Sequence, residues 1–395
     1  MHTDAIGLAA LLAPLTIEGF QRDYAEQRPL HLERAAPAWL QQLPDAWALD
    51  GLVARAAAAG KVRLVRQGSA FPGPADGLPG ILSAYSQGST VVVAKGHEES
   101  PDIGALAAAL QEELEQPIGI NLYLTPPGAQ GFKEHADGHD VFILQLSGEK
   151  RWRVFRPIIH LPLESQVVRP PPFDEQILPP PPEGYGEPIL DLRLTRGQLL
   201  YLPRGFVHAA ETSQAGSAHL TIGAHPLRQR DLLTEMLAVA AERARALRET
   251  LPRLGKDRGS ELASARRALQ ATLDALAAPG ALEEALARAE RRQARAAIPQ
   301  LGGSLEAIER SVALELSTQL RHRSGTMAVA FLEGGKACLE FGANRVDGPA
   351  ALLPAFELVA RTRSLRPADL PSELSDASKL TLARRLISEG LLVQR

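Results

Sequence analysis

Hydrophobic and polar positions change their rhythm three times along this chain. Up to about Pro226, short apolar runs are separated by Gly and Pro: "KVRLVRQ", "STVVVAKG", "GINLYLTP", "DVFILQL", "RWRVF", "PILDLRL", "QLLYLP" and "HLTIGAH". Many short strands with turn signals between them predict a β-sandwich or barrel. Helical stretches precede the strands. In "SPDIGALAAALQEELEQ", Ile103, Leu106 and Leu110 recur at three- and four-residue spacing. "DVFILQL" and "KRWRVF" read as two antiparallel strands joined by a turn at Ser147-Gly148.

Between Phe155 and Gly186 the chain is rich in proline ("RPPPF", "LPPPPEGYGEP"). Such a segment cannot be regular helix or central strand, so it predicts an extended surface connection. From 227 to 324 the texture is helical, and Leu232, Leu233, Met236, Leu237, Ala240 and Leu247 trace one apolar face. From 325 onward, "TMAVAFL" and "KACLEF" predict a hairpin around Gly334-Gly335. A helix, a short helix, a further helix and a strand-like tail follow, which is the order of a small winged-helix domain.

Composition narrows the class of protein. A net charge of -3 and a pI near 6.4 give no bulk attraction to nucleic acid or to an anionic membrane. No apolar run approaches the roughly 20 residues of a membrane span. The single cysteine, Cys338, cannot form an internal disulfide. "MHTDAIGLAALLAPL" has no basic segment before its apolar run and reads as an amphipathic helix, not a signal peptide. The expected location is the cytoplasm.

Candidate chemistry is concentrated in "KEHADGHDVFILQLSGEKRW". His135 and Asp137 stand two apart, so on a strand both would leave one face. With His208, from "YLPRGFVHAAE", they would make two imidazoles and one carboxylate on one side of a metal. That is the facial triad of non-haem Fe(II) oxygenases, with positions left for a bidentate 2-oxo acid and for O₂. His-x-Asp by itself is a weak signal and fits a polar surface turn equally well. Its company strengthens it. Lys150 offers a compact cation for the far end of a dicarboxylate, although most lysines are solvated. Asn121 and Tyr123 share a strand face, and so do His219 and Thr221. Polar groups at this spacing on several strands are poor core decoration, because buried polar groups need partners.

"GINLYLTPPGAQGFKEHADGHDVFILQLSGEKRWRVF" and "GQLLYLPRGFVHAAETSQAGSAHLTIG" resemble the JmjC-type ribosomal oxygenases. These are cupin-fold, Fe(II)- and 2-oxoglutarate-dependent protein hydroxylases. The resemblance implies an α+β chain with three parts. A double-stranded β-helix (cupin/JmjC jelly roll) would occupy 1–226, a helical dimerisation domain 227–324, and a winged-helix domain 325–395. It implies His135, Asp137 and His208 as iron ligands and Lys150 as partner of the distal carboxylate of 2-oxoglutarate. Asn121, Tyr123 and Thr221 would line the co-substrate pocket, with His139 and His219 on the substrate side and no catalytic residue beyond the metal centre. At Lys150 the chain resembles the histidine-hydroxylase branch; the arginine hydroxylases carry arginine there.

The resemblance further implies a ribosomal protein substrate, hydroxylated on His or Arg, and a homodimer. Departures exist: Gln198 follows Gly197 where an acidic residue is usual, and Gly223 stands where relatives often carry a hydroxyl. Rival readings are an oxygenase acting on a small molecule or another peptide, and a winged-helix regulator whose barrel senses a ligand. Lysine demethylation is a third. Arg361, Arg363, Arg366, Arg384 and Arg385 could make the tail basic, but Glu373 and Glu389 interrupt them, so no nucleic-acid partner is expected.

Overall fold

A computed structural model describes residues 6–71, 77–169, 178–297, 299 and 302–394. The chain divides into two compact units, 1–225 with 300–302, and 226–299 with 303–395.

Helices lead the first unit: α1 (Leu8–Leu12), α2 (Ile17–Asp23), α3 (Ala46–Ala58), α4 (Gly77–Ser86), α5 (Gly96–Glu99) and α6 (Pro101–Leu114). α6 shows why such segments are helical. The Ser100 hydroxyl accepts the Ile103 amide, Pro101 sits in the first turn, and Ile103, Leu106 and Leu110 are buried.

Its strands are β1 (Leu30–Leu32), β2 (Val62–Arg66), β3 (Ser69–Ala70), β4 (Thr90–Val93), β5 (Ile118–Thr125), β6 (Asp140–Val154), β7 (Leu190–Thr195), β8 (Leu199–Leu202), β9 (His208–Glu211) and β10 (Ser217–Ala224). The main sheet runs β1-β8-β6-β10-β5-β4-β2-β3, and β7 and β9 pair with the distal half of β6. This is a cupin-like arrangement of two antiparallel layers sharing one long strand.

That shared strand corrects an expectation. "DVFILQL" and "KRWRVF" are not a hairpin but one continuous strand. Pairing with β10 skips Leu146, so Ala218 faces Ser147 while His219 faces Gln145. Gly148 follows with φ 65°, and a side chain there would collide with the Gly216 carbonyl. A bulge and a positive-φ glycine bend the strand from one layer into the other. They also reverse its parity. Val141 and Ile143 face the interior before the bend, whereas Lys150 and Trp152 do so after it.

On β5 and β10 the even-numbered residues Ile120, Leu122, Leu220 and Ile222 bury against the core shared with α1, α3 and α6. The odd-numbered Asn121, Tyr123, His219 and Thr221 line the opposite face. The proline-rich stretch joins β6 to β7 but is not merely a surface connection. Val167 and Val168 are buried, and the Val168 carbonyl accepts the Ala136 amide at 3.1 Å. Residues 170–177 of that stretch lie outside those described.

In the second unit, α7 (Gln229–Arg243), α8 (Arg258–Ala277) and α9 (Ala281–Ala296) share a small core of Val239, Ala281 and Ala285, joined by Leu232, Met236 and Leu276. Leu233 and Leu237 are more than half exposed, so the single apolar face expected for α7 is divided between two surfaces. The rest comprises α10 (Ser304–Arg310), β11 (Leu320–His322), β12 (Ala328–Glu333), β13 (Lys336–Phe341), β14 (Asn344–Pro349), α11 (Leu353–Arg361), β15 (Ser364–Leu365), α12 (Asp376–Ser388) and β16 (Leu392–Gln394). The hairpin at Gly334-Gly335 is present, and β12 to β14 form one sheet. No described helix is long and apolar enough to cross a membrane.

Candidate metal centre and its cavity

His135, Asp137 and His208 each offer one ligand atom, and these atoms lie within 4.8 Å of one another. The route to this arrangement differs from the expected one. His135 and Asp137 do not sit on a strand. They occupy an irregular segment before β6, tied to the start of β9 by one bridge. In it the His135 amide donates to the His208 carbonyl at 3.1 Å, and the His208 amide returns the bond at 2.8 Å. The two imidazole rings are 4.3 Å apart.

Ring orientation follows from local hydrogen bonds. His135 Nδ1 donates to the Lys133 carbonyl at 2.8 Å, and His208 Nδ1 to the Phe206 carbonyl at 3.0 Å. Both rings are then left with Nε2 lone pairs for a metal. His208 Nε2 stands 3.7 Å from Asp137 Oδ2. Burial, then the neighbouring His135, pushes the His208 imidazole down to about 4, so it is a neutral ligand near pH 7. At Asp137, burial pulls the carboxyl pKa upward, but the imidazoles around it outweigh burial and hold it below the usual range. Two imidazole nitrogens and a carboxylate are a donor set that suits a divalent transition metal such as Fe(II).

The turn carrying His208 is anchored by Asp140, the first residue of β6. Its carboxylate accepts the Tyr201 hydroxyl at 2.6 Å and the Arg204 amide at 3.0 Å.

Asn121, Tyr123, His139, Lys150, His219 and Thr221 line one cavity of about 390 Å³ with the three ligands. Lys150 is 4% exposed, and its Nζ donates to Thr125 Oγ1 at 3.0 Å. Burial drops its pKa to about 7. His219 stacks on Tyr123 with centroids 4.9 Å apart, and Trp152 meets His219 edge-on at 5.5 Å. Burial, then Lys150, keeps His219 neutral. Burial raises the Tyr123 hydroxyl to about 12, so it remains a donor at all working pH values. Asn121 pairs with Thr221 across β5 and β10, and its Oδ1 accepts the Lys95 amide at 3.0 Å.

His139 packs edge-on against His225 at 4.5 Å. A side chain at Gly223 would come within 2.9 Å of the His139 ring. The bare backbone at Gly223 thus leaves room for this imidazole.

Sequence reasoning passed over Thr90, Trp152, Phe132, Arg63, Glu164 and Arg169, which also line the cavity. Thr125, the partner of Lys150, was passed over as well, yet it continues the alternation of Asn121 and Tyr123 and was findable by that parity. Glu164 and Arg169 come from the proline-rich segment, where no periodicity exists to read.

Known proteins resemble this chain in sequence and in fold. Residues 97–232 match the JmjC domain family. The chain is 30% identical over 265 residues to the bifunctional lysine-specific demethylase and histidyl-hydroxylase NO66 of Dictyostelium discoideum, covering 62% of this chain and 49% of that protein. It is 33% identical over 248 residues to human ribosomal oxygenase 1, covering 59% and 37%. The chain thus spans half or less of the length of these curated relatives.

A crystal structure of the Escherichia coli ribosomal oxygenase YcfD superposes over 96% of this chain and 98% of its own, with a TM-score of 0.56 and 18% identity. YcfD has also been solved in complex with cobalt and 2-oxoglutarate, and that structure covers 97% of this chain and 99% of its own at the same TM-score and identity. At this identity the likeness is one of fold. Residues 97–232 thus match the JmjC domain family, in a chain similar in sequence to the ribosomal oxygenases and alike in fold to YcfD.

Proposed function

We propose that this chain is an Fe(II)- and 2-oxoglutarate-dependent oxygenase that hydroxylates a His or Arg side chain of a ribosomal protein. The observation that carries the reading is one cavity with a His-Asp-His cluster and a buried lysine, Lys150, that has no acidic partner among the described residues. The names of the relatives supply the substrate class.

Iron(II) with 2-oxoglutarate and O₂ supplies oxidative decarboxylation of the oxo acid and insertion of one oxygen atom into a C–H bond. The chain's own residues do the rest. His135, Asp137 and His208 would hold the metal. Lys150 neutralises the far carboxylate of the co-substrate, and Asn121, Tyr123 and Thr221 orient it by hydrogen bonds. Tyr123 and His219, stacked, and Trp152, edge-on to His219, form an aromatic wall that would keep water out. His139 lies on the side where a substrate side chain would enter.

The second unit reads as a helical dimerisation domain (227–324) followed by a winged-helix domain (325–395). Leu262, Leu269 and Leu273 on α8 are exposed at spacings that keep them on one face, and Leu233 and Leu237 are exposed on α7. A second copy of the chain is the occupant we assign to these faces. In the tail, Arg363 donates to the Thr326 carbonyl, Arg384 to the Ser311 carbonyl, and Arg385 pairs with Glu389. These arginines are engaged within the fold, which favours a docking module over a DNA reader. The buried thiol of Cys338, the only cysteine, suits a reducing compartment such as the cytoplasm.

The test is succinate release from 2-oxoglutarate under air with Fe(II), using ribosomal proteins stripped from a deletion strain, followed by mass spectrometry. A +16 Da shift on a His or Arg is expected. Methyl-lysine peptides and free amino acids serve as the competing arms. Turnover with one of these and not with ribosomal protein overturns the substrate assignment.

A further inference from the structure

Lys150 reaches the cavity from β6 on a four-carbon stem, and such a stem costs considerable rotamer entropy to fix. The ammonium has one hydrogen-bond partner among the described residues, Thr125 Oγ1 at 3.0 Å. The same oxygen accepts the Thr90 hydroxyl at 3.1 Å. Thr90 and Thr125 are both fully buried, on the adjacent strands β4 and β5. Beyond Thr90 lies Gly131, where a side chain would stand 3.0 Å from Thr90 Oγ1. The order Gly131, Thr90, Thr125, Lys150 is a packed row alongside the cavity, which Gly131, Thr90 and Lys150 line.

We propose that Thr125 is a positioning residue for co-substrate binding, its hydroxyl oxygen anchoring Lys150 Nζ while Thr90 locks that hydroxyl in place. This inference rests on the oxygenase reading and adds to it the device that aims the cation. Two donors already point at Thr125 Oγ1, so its own hydroxyl hydrogen must point elsewhere. The lysine keeps its remaining N–H donors for the far carboxylate of a 2-oxo diacid. Valine at position 125 matches the shape but removes the acceptor. The amine then loses its one hydrogen-bond partner among the described residues, keeps only the face of the Trp152 ring 5.9 Å away, and spreads over several rotamers.

The measurement is calorimetric titration of 2-oxoglutarate into the full chain loaded with Mn(II), without oxygen. Thr125→Val is expected to weaken binding about tenfold, which is about 1.4 kcal/mol. Thr125→Ser keeps the acceptor and is expected to bind within about threefold of the parent, with Thr90→Val between the two. The rescue by serine separates positioning from packing, because serine loses the methyl that packs and keeps the oxygen. Thr125→Val binding like the parent overturns the inference and leaves the oxygenase reading standing. Thr125→Ser as weak as Thr125→Val also overturns it. A parent chain that does not bind 2-oxoglutarate at all removes both. Should Thr125→Val not fold, the serine and Thr90 variants still decide: a tenfold loss in Thr125→Ser counts against the inference, and a loss in Thr90→Val with none in Thr125→Ser supports it.

Discussion

His208 Nε2 stands 3.7 Å from Asp137 Oδ2, held there by a two-way backbone bridge between His135 and His208. The ligands come from an irregular segment and the first residue of a strand, and each imidazole is oriented by a carbonyl two residues away. Asp137→Ala removes the only carboxylate of the cluster. Iron content after anaerobic loading and desalting, read by mass spectrometry, is expected to fall at least about 100-fold in affinity, since even outer-shell changes cost 10–100-fold. Turnover should vanish with it. Normal iron content in the variant would remove Asp137 from the ligand set.

Lys150 titrates near 7 in the folded chain, against 10.5 when exposed, because burial penalises its charge. The dicarboxylate needs the charged form. Binding of 2-oxoglutarate should therefore take up a proton, and affinity should fall as pH rises above about 7, by up to about tenfold per unit. Titrations at pH 6.5, 7.5 and 8.5 in buffers of different ionisation enthalpy measure both effects. Affinity independent of pH with no proton uptake would mean that Lys150 is not the carboxylate's partner.

The same burial makes Lys150 a cost to the empty fold. Between pH 7 and 10.5 the unfolded chain binds the proton that the folded chain has released, so stability rises with pH across that window. Lys150→Met should raise the melting temperature of the metal-free protein by several degrees near pH 7 while weakening 2-oxoglutarate binding strongly. A lower melting temperature in the methionine variant contradicts this account.

His322 is buried in the C-terminal core, where its Nε2 meets the Val359 carbonyl at 2.8 Å. Burial lowers its pKa to about 4 from 6.5. The unfolded chain gains its proton first, so this group's contribution to stability is complete above about 6.5 and lost as pH falls towards 4. The full span corresponds to about 3 kcal/mol. Thermal melts of His322→Gln against the parent should show a shallower acid dependence over that window; parallel curves would refute the assignment.

Leu269 and Leu273 on α8 are both more than half exposed. Replacing both with Glu should leave the melting temperature nearly unchanged and convert a dimer to a monomer in light scattering, because charge is depleted from the cores of such interfaces. A parent chain that is monomeric at micromolar concentration would dispose of the dimer.

Much of the site was legible by parity. Alternation on β5 and β10 brought Asn121, Tyr123, His219 and Thr221 to one face, and the cavity contains all four. Parity failed on β6. Reading a turn at Ser147-Gly148 sent the chain back on itself, whereas a bulge at Leu146 and the bend at Gly148 carry the strand onward and turn Lys150 inward. A bulge leaves no period in the sequence, since its signature is one residue too many against a partner strand that is far away in the chain. The proline-rich segment was illegible for a related reason. Its contacts with Ala136 and the cavity come from extended backbone with no repeating pattern.

The sequence by itself determined the kinds of group available: two imidazoles and a carboxylate at metal-binding spacing, a lysine downstream, alternating strands, and an amphipathic helical region. These follow from side-chain chemistry and local periodicity, which are properties of neighbouring residues. Only the tertiary structure decided that the groups converge: that Lys150 is buried against Thr125, that His139 takes the space left at Gly223, and that Leu233 and Leu237 face away from the core. Burial and long-range contact depend on how distant strands register and bend, and that is settled by packing of the whole sheet.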